Sequence, residues 1–191
     1  MPGSTELRIA AAARKILEQE GAEAVSMRRV AADVGITAMA IYRHFPGRDA
    51  LLAAVADAGF EALSRQYKES NRRPFKAQLS ELMEKYLDFA LKHPRLFEYM
   101  FLSPRKEARR FPADFIARRS PTANILADLV KRAIDSRELK EDDAWEVALS
   151  ISAEAHGLII LYLAQRFDLP ENKFRALYRR SLRRLLDGIS I

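Results

Sequence analysis

Apolar residues recur along this chain at three- and four-residue intervals, and no alternating strand pattern holds over six residues. Ile9, Ala13, Ile16 and Leu17 share one face of a helix expected from about Thr5 to Glu20, which Gly21 ends. Met27, Val30, Ala31 and Val34 form the inward stripe of a two-turn helix, and Gly35 closes it where a left-handed residue is needed. Ile36 restarts the pattern, Thr37 is placed to cap a third helix through its hydroxyl, and Ile41 and Phe45 point inward. Small Ala31 opposite Ala40 lets the two short helices cross closely. The spacing leaves Thr37, Ala38, Met39, Tyr42, Arg43 and His44 facing outward.

Further along, a long helix is expected from about Gly47 to Ser70, with Asp49 at its positive end and Asn71-Arg72-Arg73-Pro74 breaking it. A fifth runs from Pro74 to Lys92, with Phe75, Leu79, Leu82, Met83 and Tyr86 at helical spacing. Pro94 begins a short aromatic helix, PRLFEYMFL, and the polar stretch from Ser103 to Pro112 reads as a loop. Helical material from Ala113 to Ser136 is kinked or divided by Pro121. Helices from Glu141 to Arg166 and from Pro170 to Gly188 complete the chain. Nine or ten helices without a sheet predict an all-α protein. Its N-terminal three-helix helix-turn-helix head takes residues 1–50, and a C-terminal bundle of six or seven helices takes residues 51–191.

A helix of about seven residues with that outward face has the size to enter a DNA major groove. The stretch SMRRVAADVGITAMAIYRHFPGRDALL resembles the N-terminal domain of TetR-type transcriptional repressors in motif order, spacing and flanking helices. Tyr42-Arg43-His44-Phe45 followed by Pro46-Gly47-Arg48-Asp49 is its most specific part. The resemblance implies that Thr37, Ala38, Met39 and Arg43 lie nearest base edges, and that Ser26, Arg28, Tyr42, His44 and Arg48 grip phosphates. Met39 stands where many members have Gly and Arg48 where Lys is usual; Arg48 keeps the charge, whereas Met39 adds an apolar side chain to the groove face.

The helix from Glu141 to Arg166 is apolar on two sides: Trp145, Leu149, Ser152, His156, Ile159 and Leu163 on one, Val147, Ile151, Leu158 and Tyr162 on the other. Both sides must be covered. In the last helix Phe174, Tyr178, Ser181 and Leu185 are expected to form a stripe. The two helices are therefore expected to pair with their symmetry mates as a four-helix bundle, giving a homodimer, as TetR-type proteins do. The resemblance also implies an enclosed site in the body for a small apolar or amphipathic effector, with Met83, Tyr86, Phe89, Phe97, Met100, Phe101, Phe115 and His156 as its candidate lining. Taken singly, each of these residues reads more simply as core.

Charge changes this picture little. The net charge is +6 and the isoelectric point about 9.7, compatible with a polyanionic partner. Yet the first fifty residues hold seven Lys and Arg against six acids, and much of the excess lies between Lys173 and Arg184. There is no cysteine, the seven glycines are scattered singly, and His44, His93 and His156 have no metal-ligand spacing. No catalytic residue, metal or cofactor is expected, and the acidic run Glu141-Asp142-Asp143 reads as helix capping. With no leader pattern, and with Glu154, His156 and Arg166 bracketing the greasiest stretch, a cytoplasmic protein with no membrane partner is expected. These features together favour a ligand-responsive repressor that binds a palindromic double-stranded DNA operator and is released by its effector. The competing reading is a helical small-molecule-binding protein or enzyme whose head serves only for packing.

Overall fold

Serine, threonine and aspartate side chains open several of the helices that the apolar pattern specifies. The computed structural model describes residues 4–67, 73–106 and 108–190. Its α-helices are α1 Ser4–Glu20, α2 Met27–Val34, α3 Ala38–Ile41, α4 Arg48–Ser64, α5 Phe75–Lys92, α6 Pro94–Leu102, α7 Ala113–Ile116, α8 Pro121–Asp135, α9 Ala144–Leu163 and α10 Glu171–Ile189, with a 3-10 turn at Ala22–Ala24. Among the described residues there is no strand, only a lone antiparallel bridge between Leu139 and Ser190. The fold is all-α, a helix-turn-helix head and a helical C-terminal domain. The expected continuation of α4 to Ser70, and the Asn71-Arg72 part of its break, lie outside the described residues; α4 itself ends at Ser64. Pro121 divides the stretch after Ala113, opening α8 while the hydroxyl of Ser120 accepts from the Ala123 amide at 3.4 Å.

The chain forms two compact units, one of Met1–Ala62 with His93–Ala108 and the other of Leu63–Lys92 with Arg109–Ile191. This differs from a boundary after residue 50, because α6 packs with the head. In the first unit Ile9, Leu17, Val30, Ile41, Leu51, Leu96 and Phe97 are fully buried or nearly so. Met100 of α6 lies so close to α4 that a Cβ on Gly59 would come within 2.6 Å of its Sδ. The rings of Phe60 and Phe101 meet edge to face at 5.1 Å. The start of α6 also grips the end of α1: His93 Nδ1 lies 2.9 Å from a Glu18 carboxylate oxygen, and Arg95 donates to the carbonyls of Glu18, at 3.3 Å, and Gln19. A guanidinium such as that of Arg95 suits a helix C-terminus, where carbonyls have no partner in the helix.

In the second unit α8 and α9 pack together, α5 lies against both, and α10 lies against α9. Leu79, Leu87, Leu129, Val130, Ile151, Ala155 and Ile159 form the core with Phe174 and Tyr178. Tyr162 stacks on Phe174 with centroids 4.0 Å apart, and the Tyr178 hydroxyl donates to the Met83 carbonyl at 3.1 Å. Arg175 meets Asp88 at 2.6 Å and Arg179 meets Glu84 at 2.7 Å, fastening α10 to α5. The inward stripe of α10 is Phe174, Tyr178, Leu182 and Leu186; Ser181 and Leu185, expected inside, are only half-buried. The acidic run acts as expected of a cap, with Asp143 accepting from the amides of Trp145 and Glu146.

Candidate nucleic-acid interface and ligand-sensing residues

Ser26 opens α2 by accepting from the Arg29 amide at 3.3 Å, a role not anticipated from the sequence. Gly35 closes the helix at φ 74°, ψ 36°, and the Ile36 amide returns to the Ala31 carbonyl at 3.0 Å. Thr37 then caps α3, its Oγ1 accepting from the Ala40 amide at 3.1 Å. Val30, Ala31, Val34, Ile41 and Phe45 are buried, so the two short helices meet through their apolar sides. The outer side of α3 and the turn after it is bare. Thr37, Ala38, Arg43 and His44 are exposed, Met39 is 73% exposed and Tyr42 51%. Exposing a large thioether on one short helix and a phenol at its end forgoes apolar burial that the fold could have used. A complementary surface would recover it.

Charge sorts the neighbouring arginines. The side chains of Arg28 and Arg43 hold no ion pair or hydrogen bond among the described residues, and both are exposed. Arg29 is held instead by Glu20, with one contact at 2.8 Å; this bond holds the Glu20 carboxyl below its ordinary range and raises the guanidinium. Arg8 donates to the Val34 carbonyl at 2.8 Å, tying α1 to the end of α2. Arg48 is turned inward: Nη2 donates to the Ala22 carbonyl at 2.7 Å and Nε to that of Val25 at 2.9 Å, with Glu23 at 3.5 Å. These bonds brace the connection between α1 and α2. The carbonyls that hold Arg48 lie more than twenty residues away in sequence, and no local signal marks them.

The eight residues expected to line an effector site divide between the units. Phe97, Met100 and Phe101 belong to the first, where Phe97 and Met100 are core and Phe101 is half-buried with its ring 4.8 Å from that of Phe97. In the second unit Met83 and Phe89 are core, and Phe115 packs edge to face on Trp145 at 6.2 Å. Tyr86 and His156 are brought together: the Tyr86 hydroxyl lies 2.8 Å from His156 Nδ1. Burial pushes the Tyr86 phenol well up and the His156 imidazole down, so both are neutral near pH 7. An open groove of about 430 Å³ runs between α5 and α10 over Leu79, Met83, Leu182 and Leu186, and Met83 alone of the expected lining borders it. No cluster of His, Asp or Glu with metal-binding geometry occurs among the described residues.

A capped two-turn helix, a left-handed glycine and a short second helix with a bare mixed face define the helix-turn-helix class of DNA-binding proteins. Residues 9–55 match the model for bacterial regulatory proteins of the tetR family, and residues 79–185 that for the tetracyclin repressor-like C-terminal domain. The chain belongs to the TetR family of DNA-binding transcriptional regulators. It is similar over 99% of its length to the uncharacterized HTH-type transcriptional regulator YobS of Bacillus subtilis (strain 168), 26% identical and covering 94% of that protein. The solved structure of BioQ with its double-stranded DNA operator superposes with a TM-score of 0.65, at 23% identity over 96% of both chains. A TetR variant of Acinetobacter baumannii AYE in complex with minocycline gives 0.68, at 18% identity over 94% of this chain and 93% of that one.

Proposed function

We propose that the chain is a homodimeric, effector-released repressor that reads a palindromic operator through α3. The bare face of α3 carries this reading. Thr37, Ala38, Met39 and Arg43 meet base edges, while Ser26, Arg28, Tyr42 and His44 hold the phosphate backbone. Arg48 sets the shape of the head and stays off the DNA.

The dimer is supported by α9. Leu149, Ala153, Gly157 and Leu161 follow one another at four-residue steps and are all exposed, Leu149 at 43% and Leu161 at 45%. A glycine inside a helix costs about 0.5–1 kcal/mol relative to alanine, and a Cβ on Gly157 would meet nothing within 4 Å. Among the described residues nothing offsets that cost; a second helix approaching closely would. The ridge is self-complementary, with two small residues at its centre and a leucine at each end. A two-fold axis between Ala153 and Gly157 sets Leu149 against Leu161 of the partner subunit, and ridges of this i±4 kind pack at about −50°. α9 is also long and apolar enough to cross a membrane by length and composition. Its buried Val147, Ala148, Ile151, Ala155 and Ile159, and the bond from Ser181 to Glu154, favour a packed helix with one face reserved for a partner.

Two such heads with recognition helices about 34–36 Å apart would meet successive major grooves. An effector that favours one body shape by about 1–3 kcal/mol would weaken operator binding about 5–150-fold. The minocycline-bound relative and the neutral Tyr86–His156 pair support a small, largely uncharged effector. Selection of duplexes from a randomised pool tests the reading: a two-fold symmetric site with half-sites about 10 base pairs apart is expected. A pool that converges on no site would overturn operator recognition. A selected site whose affinity no candidate compound alters would remove the effector while leaving DNA reading in place.

A further inference from the structure

The uncovered ridge of α9 continues past Leu149. Trp145 lies one turn earlier on the same row, its ring on Phe115 at 6.2 Å, and Phe115 in turn meets Phe111 edge to face at 5.8 Å. Phe111 is 42% exposed and Ile116, next to Phe115, is 63% exposed. The short helix α7, which carries Phe115 and Ile116, is braced from several directions. Arg118 makes two bonds to Asp128, at 2.6 and 2.9 Å, and Arg119 bonds Asp114 at 2.9 Å. Arg109 donates to the Arg119 carbonyl at 2.7 Å. An ordered apolar bracket left open on a surface marks a contact site, and a braced one loses little conformational entropy when it is covered.

The two-fold on α9 identifies the occupant. If Leu149 meets Leu161 of the partner subunit, then Trp145, one turn further out, comes opposite Gln165 of the partner subunit, where that helix has already ended. At 1.5 Å per residue this point is about 15 Å from the axis, and helices crossing at about −50° have parted by then. A wedge therefore opens at each end of the crossing. On one side stands the aromatic bracket, and on the other the Ala164–Pro170 link, whose Leu169 is exposed at 36%. Resting on the homodimer proposed above, we infer that each protomer's bracket of Phe111, Phe115, Ile116 and Trp145 receives the link between α9 and α10 of its partner, with the partner's Leu169 as the apolar contact. The interface thus has a central helical crossing and two equivalent flanks.

The absence of cysteine makes this directly testable in the full chain. Under mild oxidation, the double variant Ile116→Cys with Leu169→Cys is expected to give a covalent dimer. Each single variant should not, because like positions lie at opposite ends of the crossing. Ile116→Asp should raise the dimer dissociation constant on the order of tenfold or more in sedimentation equilibrium, with the melting of the protomer unchanged. A dimer that neither crosslinks through positions 116 and 169 nor weakens with Ile116→Asp would overturn the flanks and leave the α9 crossing standing. A wild-type chain that sediments as a monomer at every concentration would overturn both.

Discussion

The Arg48 guanidinium donates from Nε to the carbonyl of Val25 at 2.9 Å, and its second bond, to Ala22, closes the 3-10 turn between α1 and α2. A cation satisfied by two carbonyls holds shape, and removing it takes the side-chain donor from the Val25 carbonyl and the second donor from that of Ala22. Arg48→Ala should therefore lower the stability of the protein by about 1–2 kcal/mol, read as a reduced midpoint in chemical denaturation. Binding measured well below that midpoint should keep its salt dependence. An unchanged midpoint together with a salt slope flatter by about one unit would instead return Arg48 to the phosphates.

Gly59 gives α6 its seat. The Met100 sulfur occupies the space a side chain would take, and Met100 is buried. Gly59→Val should force α6 outward and cost about 1–3 kcal/mol, the usual penalty for overfilling a packed core. Gly157→Ala, with open space above it, should stabilise the isolated protomer by up to about 1 kcal/mol. Parallel thermal melts of the two variants make the comparison, and similar shifts of the same sign would refute the packing described for Gly59.

At the proposed crossing of α9, size matters more than helix propensity. Gly157→Leu improves the helix yet holds two backbones apart, so the dimer should dissociate at protein concentrations where the wild type remains paired. Light scattering over a dilution series is the measurement. A dimer of undiminished affinity would place the partner elsewhere.

His156 imparts a pH dependence whose sign follows from its burial. Its folded pKa lies below the ordinary 6.5, so the unfolded chain binds the proton more readily. Stability should be level above about pH 7.5 and decline as pH falls below about 6.5, by at most about 1.4 kcal/mol per pH unit. Urea unfolding between pH 5 and 8 should show this decline in the wild type and lose it in His156→Gln. The carboxylates of Glu20, Glu81, Asp114 and Asp128, held low by arginine and lysine donors or a backbone amide, act in a more acid range and do not blur it. A decline that persists in His156→Gln would assign it to another group.

The sequence was most legible where structure is local. Gly35, Thr37, Pro121 and Asp143 act within four residues of themselves, and each occupies the position its chemistry dictates. The outward face of α3 could be read for the same reason, since helical periodicity alone decides which of its side chains point away. Long-range partners left no such trace. Nothing near Arg48 indicates the carbonyls of Ala22 and Val25, and nothing in PRLFEYMFL shows that it packs on Gly59 and the end of α1. In α10, Phe174 and Tyr178 fit two adjacent stripes equally well. Packing selected the one through Leu182 and Leu186, leaving Ser181 and Leu185 toward the outside.

Operator recognition requires the bare face of α3 to make contact with bases. Fluorescence anisotropy of the wild type and Arg43→Ala on a selected duplex and on a scrambled duplex of equal length, at several salt concentrations, tests this most directly. The wild type should prefer the selected duplex, and Arg43→Ala should lose about 1–3 kcal/mol of that preference while still binding the scrambled one. Equal affinity of the wild type for both duplexes at every salt concentration would contradict it.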